Sequence, residues 1–437
     1  MERFKIFFYK KRRLISLIQY MVFSVLLIIF VYFVDYEFAN VEVILPTILT
    51  TSVDLSTTIL STLAGSLLTI TTFTFTSILS VMSIQASNYS SYVIPNFIDK
   101  PIVMNVLGIF LGGFLYCITS LALMRDLNAE RQVISGMIGI IYAIICVLYF
   151  IAFVRQVIYY SQDRNIIEDI YKETKKSIDN ELADYSDPSN SKSKKDIRIQ
   201  NDYKFKFPLY ATQSGYYSVL DDGIIASELG KYNGQLVVTR KVGEFVPAET
   251  EFGKVYITDE DVSKEDINIE SLEKAFITVD DEITINNYRY GLNKLTEIAI
   301  RSLSPSTPGN DTAIRCIHKL GLLLGQLSSV NYFHLDKENE QKFNIINSSY
   351  SFNDDLYIIF SQIIHYGKTD LLTMEALIDS CTIIYAQSTN SNKSTVNKII
   401  EYLREKLVGI YDNETDRRYL NNTFDRYEKI VKSDRVI

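Results

Sequence analysis

Ile59-Leu-Ser-Thr-Leu-Ala-Gly-Ser-Leu-Leu-Thr-Ile-Thr-Thr-Phe-Thr-Phe-Thr-Ser-Ile-Leu-Ser-Val-Met-Ser-Ile84 runs for 26 residues without a charge and carries 11 hydroxyls. A stretch of this length and apolarity crosses the ~30 Å hydrocarbon core, which takes about 20 residues. Its backbone polar groups must then be satisfied within the segment, as they are in a helix. Thr62, Ser66, Thr69, Thr76, Ser80 and Ser83 follow alternating steps of four and three, and Phe73 fills the one position that lacks a hydroxyl. That spacing puts all seven on one helix face. Two readings stand side by side. In the first the face is a pore wall, with several copies of the helix around an axis and Phe73 as a hydrophobic constriction that gates by dewetting. In the second it is a packing face, since Ser and Thr are common at helix–helix contacts and bond the preceding turn. No charge lies on the face, so it offers no strong ion-selectivity element and none of the carboxylates expected of many proton-coupled transporters.

Working outward, charges are also absent between Arg13 and Asp35, Lys100 and Arg125, and Arg131 and Arg155. Leu14–Val34, Ile59–Ile84, Ile102–Met124 and Val133–Phe153 are the predicted spans, four transmembrane helices in a domain covering 1–153. The first is too long for a signal peptide and no A-x-A site follows it, so it reads as a retained anchor. Gly108-Ile-Phe-Leu-Gly112 in the third span, and Gly139 between Ser135 and Ala143 in the fourth, predict close helix packing. Cys117 and Cys146 read there as small apolar residues. Lys10, Lys11, Arg12 and Arg13 precede the first span, and Arg155 and Arg164 follow the fourth. The first loop holds Asp35, Glu37, Glu42 and Asp54 without a Lys or Arg. Positive charge on one side places both termini in the cytoplasm of a multipass cell-membrane protein in contact with the lipid bilayer. The 85–100 stretch, with Tyr89, Tyr92 and Phe97 suited to the interface and Pro95 and Pro101 breaking helix, reads as an elbow against the headgroups.

The 437 residues leave room for two to four domains. Residues 1–164 carry 11 Lys and Arg against 9 Asp and Glu, so the net −8 of the whole puts −10 on the remainder. An acidic soluble part excludes nucleic acid as a partner, because that affinity rests on phosphate neutralisation. The 4 cysteines form no C-x-x-C pair, and His318, His334 and His365 stand apart. Neither pattern points to a disulfide framework, a metal or a cofactor.

Residues 154–199 read as a juxtamembrane helix, with Ile158, Ile166, Ile170 and Ile178 at helical spacing, followed by the linker Ser186-Asp-Pro-Ser-Asn-Ser-Lys-Ser-Lys-Lys195. Residues 200–262 read as a small β-barrel or sandwich, with strands at Phe205–Tyr210, Gln235–Arg240 and Lys254–Thr258 and Val242-Gly-Glu-Phe-Val246 turning into a strand. Residues 263–437 read as a helical domain. Leu292, Leu295, Ile298, Ala299, Ser302 and Leu303 share a face of a helix stopped at Ser304-Pro305. Asp311 is the expected N-cap of the next, which runs through Ile314, Ile317, Leu320 and Leu324. Further helices are expected at 352–366, 369–388, 393–411 and 415–433. Arg289, Arg301, Asp311 and Arg315 could cluster around the turn, or serve as caps and surface ion pairs. Asp280-Asp281-Glu282 reads as a solvated loop. The fold class is thus a four-helix integral membrane domain plus a cytoplasmic α+β region. The sequence holds no Walker A, G-x-S-x-G, H-E-x-x-H or dinucleotide fingerprint, so no enzyme is expected.

Three blocks resemble a group of uncharacterised bacterial membrane proteins that carry the domain-of-unknown-function label 2254. They are Phe75–Ser90 with Leu107–Tyr116; Ser214-Gly-Tyr216, Asp221 and Val242–Val246; and Tyr290–Pro305 with Asn310-Asp-Thr-Ala313. The last makes Ser304, Pro305, Asn310, Asp311 and Thr312 the family-motif turn. Where the family usually has Ser-Pro-Arg after the second span, this chain has Ser90-Ser-Tyr-Val-Ile-Pro95, so no headgroup contact by that arginine carries over. The family's Asn-Asp-Pro turn is here Pro308-Gly-Asn-Asp311. The resemblance implies topology and domain order and no activity. The residues lead to a homo-oligomeric channel for small ions, lined by the second span and assembled or gated by its cytoplasmic part. The alternative is a non-conducting sensor or scaffold that binds a cytosolic ligand or protein.

Overall fold

The computed structural model describes residues 2–37, 49–88, 101–125, 127–186, 203–259, 267–280, 287–304, 309–330, 335–337, 343–348 and 350–434. The chain divides into two compact units, Phe4–Ile166 and, apart from the first three residues, Ile167–Ile437. The first unit contains α1 (Glu2–Glu37), β1 (Thr51–Ser52), α2 (Val53–Asn88), α3 (Pro101–Leu123), β2 (Gln132–Val133) and α4 (Ser135–Tyr160). Among the described residues, four stretches are long and apolar enough to cross a membrane: Leu17–Tyr36, Val53–Ile84, Ile102–Leu123 and Ser135–Tyr160. The second begins six residues before the expected Ile59. Asp54 does not stop it, because an acid in the first turn complements the helix dipole. The start is fixed by the antiparallel β1–β2 ribbon and by the Val53 amide, which donates to the Arg131 carbonyl at 3.0 Å.

α3 is the most enclosed of the four helices and packs against both α2 and α4. Small residues set how close its neighbours come. A Cβ on Gly108 would lie 3.1 Å from the Tyr20 side chain of α1. A Cβ on Gly112 would run into the Ser24 hydroxyl and come within 2.8 Å of the Tyr142 hydroxyl, and one on Gly139 of α4 would lie 2.6 Å from Leu60 of α2. The Tyr142 hydroxyl on α4 donates to the Ile109 carbonyl at 3.0 Å and lies 3.0 Å from Ser24 Oγ, so one phenol joins α1, α3 and α4. At the ribbon end, the buried Asp35 accepts the Ile134 amide at 2.8 Å. Arg131 donates to the Asp35 and Tyr36 carbonyls in the last turn of α1. The sequence reading of Asp35 and Arg131 as loop charges missed this mutual lock. The elbow residues Tyr89, Tyr92, Pro95 and Phe97 lie outside the described residues, as do 187–195 of the linker; Pro101 opens α3.

The expected continuous helix through 154–185 is corrected by a break at Ser161–Gln162, after which α5 (Asp163–Ser186) begins. Asn165 stabilises the break by donating to the Tyr159 carbonyl at 2.9 Å. α5 buries Ile167, Ile170, Thr174 and Ile178 on one face. The strands β3 (Phe205–Tyr210), β4 (Gly215–Leu220), β5 (Gly234–Val238), β6 (Phe245–Val246) and β7 (Glu251–Ile257) follow, with α6 (Asp222–Leu229) between β4 and β5.

The β part does not end at 262. Beyond it lie α7 (Ile269–Ala275), β8 (Phe276–Val279), β9 (Leu335–Lys337) and β10 (Phe343–Asn347). β10 pairs in parallel with β5, so the sheet order is β3-β7-β5-β10-β9, beside a second sheet β6-β4-β8. Neither sheet closes into a barrel. The two share one apolar core, in which Phe276 stacks on Tyr217 and Phe252 at centroid distances of 4.2 and 4.1 Å. Between β8 and β9 the chain makes α8 (Tyr288–Ser302) and α9 (Asn310–Ser328). After β10 come α10 (Phe352–Gly367), α11 (Leu371–Gln387), α12 (Asn390–Leu407) and α13 (Glu414–Asp434). The expected faces of α8 and α9 are buried at Leu292, Leu295, Ile298, Ala299, Ile317, Leu320 and Leu324, while Ser302, Leu303 and Ile314 are half-buried.

Gly112→Val forces a branched side chain into Ser24 and Tyr142. Overpacking of this kind is expected to cost about 1–3 kcal/mol, read as a lower melting temperature of the purified protein in detergent. Gly65→Ala is expected to melt no lower than the parent, because its Cβ meets nothing within 4 Å and alanine has less backbone freedom to lose. A Gly112→Val protein as stable as the parent would refute this account of the packing.

Candidate functional site

α2 carries two parallel series at steps of three and four. Leu60, Ala64, Leu67, Thr71, Thr74, Ile78 and Val81 form the buried seam, on the side that meets α3 and α4. Thr62, Ser66, Thr69, Phe73, Thr76, Ser80 and Ser83 are all exposed on the surface of the single chain. An open depression of about 650 Å³ runs along this face, lined by Ser61, Thr62, Gly65, Ser66, Thr69, Ile70 and Phe73. Ser61, Gly65 and Thr72 are exposed alongside the stripe, so the outward face is broader than sequence spacing indicated. The signal that finds them is the offset between the two series: whatever the seam does not use is turned away from the protomer.

The other helices present a different outer surface. α1 exposes Val22, Phe23, Val25, Leu26, Ile29, Phe30 and Phe33, and α4 exposes Ile141, Ile144, Ile145, Val147, Leu148 and Ile151. These faces suit lipid. On α2 hydroxyls face outward beside the exposed Leu68, Phe75, Leu79 and Ile84, and most are satisfied within the helix. Thr62, Ser66, Thr69 and Thr76 each donate to the carbonyl four residues earlier at 2.9 Å, and Thr72 does so at 3.0 Å. Each donor is therefore spent while the oxygen remains an acceptor, and the face is neutral and mildly polar. Phe73 is 60% exposed and stands clear of the seam. It lies 11 residues beyond Thr62 and 10 before Ser83, near the middle of the stripe.

The described residues of the second unit include a buried ionic network. Asp355 at the start of α10 is 2% exposed. Its Oδ1 accepts from Arg289 Nε at 2.6 Å and its Oδ2 from the Tyr288 hydroxyl at 2.8 Å. The Arg289 guanidinium stacks on the Tyr350 ring at 3.3 Å, with Lys241 Nζ 4.4 Å from the same centroid. Burial pushes the Asp355 carboxyl above its ordinary value, while the guanidinium and the phenol pull it back. Ser351 and Asp354 close a capping box on the same turn. Sequence reading missed Asp355 because its partners precede it by 66 and 67 residues.

Of the two readings of Arg289, Arg301, Asp311 and Arg315, a shared cluster does not assemble, and surface ion pairs hold Arg301 and Arg315. Arg301 pairs with Glu297 and Arg315 with Asp311 at helical spacing, while Arg289 is committed to Asp355. Gly309, not Asp311, occupies the cap position of α9, and Asp311 lies in its first turn. Asn310 Nδ2 donates to Asp370 at 2.6 Å, Thr312 donates its amide to the Gly309 carbonyl, and the Ser304 amide donates to Arg301. Pro305 lies outside the described residues, as does His334. Among the described residues no group of three His, Cys, Asp or Glu is gathered as a metal would require.

A family model described as "Predicted membrane protein (DUF2254)" matches residues 13–382, which takes in all four apolar helices and the Arg289–Asp355 network. No curated protein and no solved structure matches the chain.

Removing one partner of a buried ion pair leaves the other uncompensated, at a cost of about 3–5 kcal/mol. Arg289→Ala and Asp355→Asn are each expected to lose stability on this scale in denaturant unfolding of the full chain. The double variant should lose less than the sum of the two. Strict additivity would show that the two groups do not act as a unit.

Proposed function

For a chain that belongs to the predicted membrane protein family DUF2254, we propose a homo-oligomeric, channel-like role, with α2 of each copy facing a shared path for small ions. The observation that carries this reading is the contrast between outer surfaces. α1 and α4 turn apolar side chains outward, whereas α2 turns outward a row of hydroxyls beside Leu68, Phe75, Leu79 and Ile84. Copies that gathered their α2 faces around an axis would leave the apolar faces to lipid and enclose a neutral polar wall. Phe73 would then form a ring midway along that wall, a constriction that closes by dewetting. In this reading the acidic C-terminal unit is cytoplasmic, by the Lys and Arg distribution, and holds or gates the assembly.

A second reading rests on the same hydroxyls. Because their donors are bonded to the preceding turn, the face is tolerable in lipid or against another helix without water. The chain would then be a membrane-anchored sensor or scaffold whose C-terminal unit binds a ligand or protein.

Purified protein reconstituted into planar bilayers tests the two. Conduction predicts single-channel currents, larger or more often open in Phe73→Ser, together with a ring-shaped assembly that has α2 at its axis. If currents are absent, or unchanged by Phe73→Ser, the channel reading fails and the anchored module stands.

A further inference from the structure

We propose that α2 is built to bend between Gly65 and Ser77, swinging the segment that carries Phe73 against an anchored first half. The use of this bend as a gate rests on the channel reading above; the bend itself does not.

Four observations meet in this segment. The carbonyls of Gly65, Leu67, Leu68, Thr72 and Phe73 each accept a hydroxyl from four residues onward, from Thr69, Thr71, Thr72, Thr76 and Ser77, at 2.6–3.0 Å. A carbonyl that serves a hydroxyl as well as the ladder amide holds that amide less firmly, and helices bend at such places. Thr69, Ile70, Thr71, Thr72, Thr74 and Thr76 place six β-branched residues within eight positions, a poor composition for a rigid helix. Gly65 is the one glycine of α2, and its outer side is open space. The Thr74 hydroxyl is fully buried on the seam and has no hydrogen-bond partner, although the same bond to the preceding turn satisfies its neighbours. A buried donor left unspent in one arrangement favours another arrangement that spends it.

The seam buries α2 along both halves, from Leu60 to Val81. The first turns are tied in addition by the β1–β2 ribbon and by the close approach of Gly136 to Ser56, so a bend moves the Phe73 half. α4 supplies the internal contrast in hydroxyls: it has no Ser or Thr between Ser135 and Ser161, although Ile140, Ile141, Ile144, Ile145 and Val147 make it β-branched as well.

Spin labels test the bend directly. Thr58→Cys with Ser80→Cys brackets the segment on exposed positions of α2, and Ile141→Cys with Ile158→Cys does the same on α4. The four native cysteines are buried and stay in place. Pulsed dipolar distances are taken on full-length protein in lipid nanodiscs, diluted with unlabelled chain. The α2 pair is expected to give a broad or double distribution and the α4 pair a narrow one. Thr69→Val with Thr72→Val keeps the β-branch and removes the hydroxyls. These changes, and separately Gly65→Ala, should narrow the α2 distribution to the α4 width. An α2 pair as narrow as the α4 pair, or a broad one that neither set of substitutions narrows, overturns the proposal. Because the readout is a distance, a bending α2 in a protein without currents would retire the channel and keep the hinge. Currents through a rigid α2 would do the reverse.

Discussion

The Tyr142 hydroxyl, held between the Ile109 carbonyl and Ser24, is the contact on which the membrane unit depends. Lipid gives no hydrophobic drive to gather helices, so association rests on close packing and on polar groups that find each other inside. One phenol supplies the polar part for α1, α3 and α4 together, and the absent side chains of Gly108 and Gly112 let α1 approach α3 closely enough for it to form. Once α3 occupies the centre, each neighbour has one inward face. For α2 that face is the Leu60–Val81 seam, and its hydroxyl stripe is left outside. The exposure of the stripe follows from the packing of residues that belong to other helices.

The spans were legible because length and absence of charge are sufficient conditions for a membrane helix, and four gaps met both. Which face of α2 would be covered was not legible. Two series at the same spacing run along it, both contain hydroxyls, and only the partner helix chooses between them. Thr71 and Thr74 went inward and Thr69 and Thr76 outward. The rim lock of Asp35 and Arg131 was hidden for a similar reason: each reads as a loop charge until the two loops are seen to share hydrogen bonds. Arg289 was recognised as a polar residue near a turn, yet its partner lies beyond α9, β9 and β10, and sequence proximity pointed to the wrong acids.

The β segment shows a further limit. Phe205–Tyr210 and the strands near 236 and 255 were recognisable from composition, whereas Phe276–Val279 and Phe343–Asn347 are short apolar runs next to helices. A run of four or five such residues cannot be assigned by periodicity. What makes Phe343–Asn347 a strand is the open edge of β5, more than a hundred residues earlier, and that edge exists only in three dimensions.

That parallel pairing of β10 with β5 bears on biosynthesis. A ribosome adding about 5–20 residues per second delivers β3, β5 and β7 well before it reaches residue 343, so the nascent sheet waits with the Gly234–Val238 edge unpaired while α7, α8 and α9 are polymerised. An exposed strand edge is a template for other chains. The interval between the emergence of β5 and that of β10 is therefore the period in which a growing polypeptide of this kind most needs shielding, by a chaperone or by the early collapse of the helices made in between.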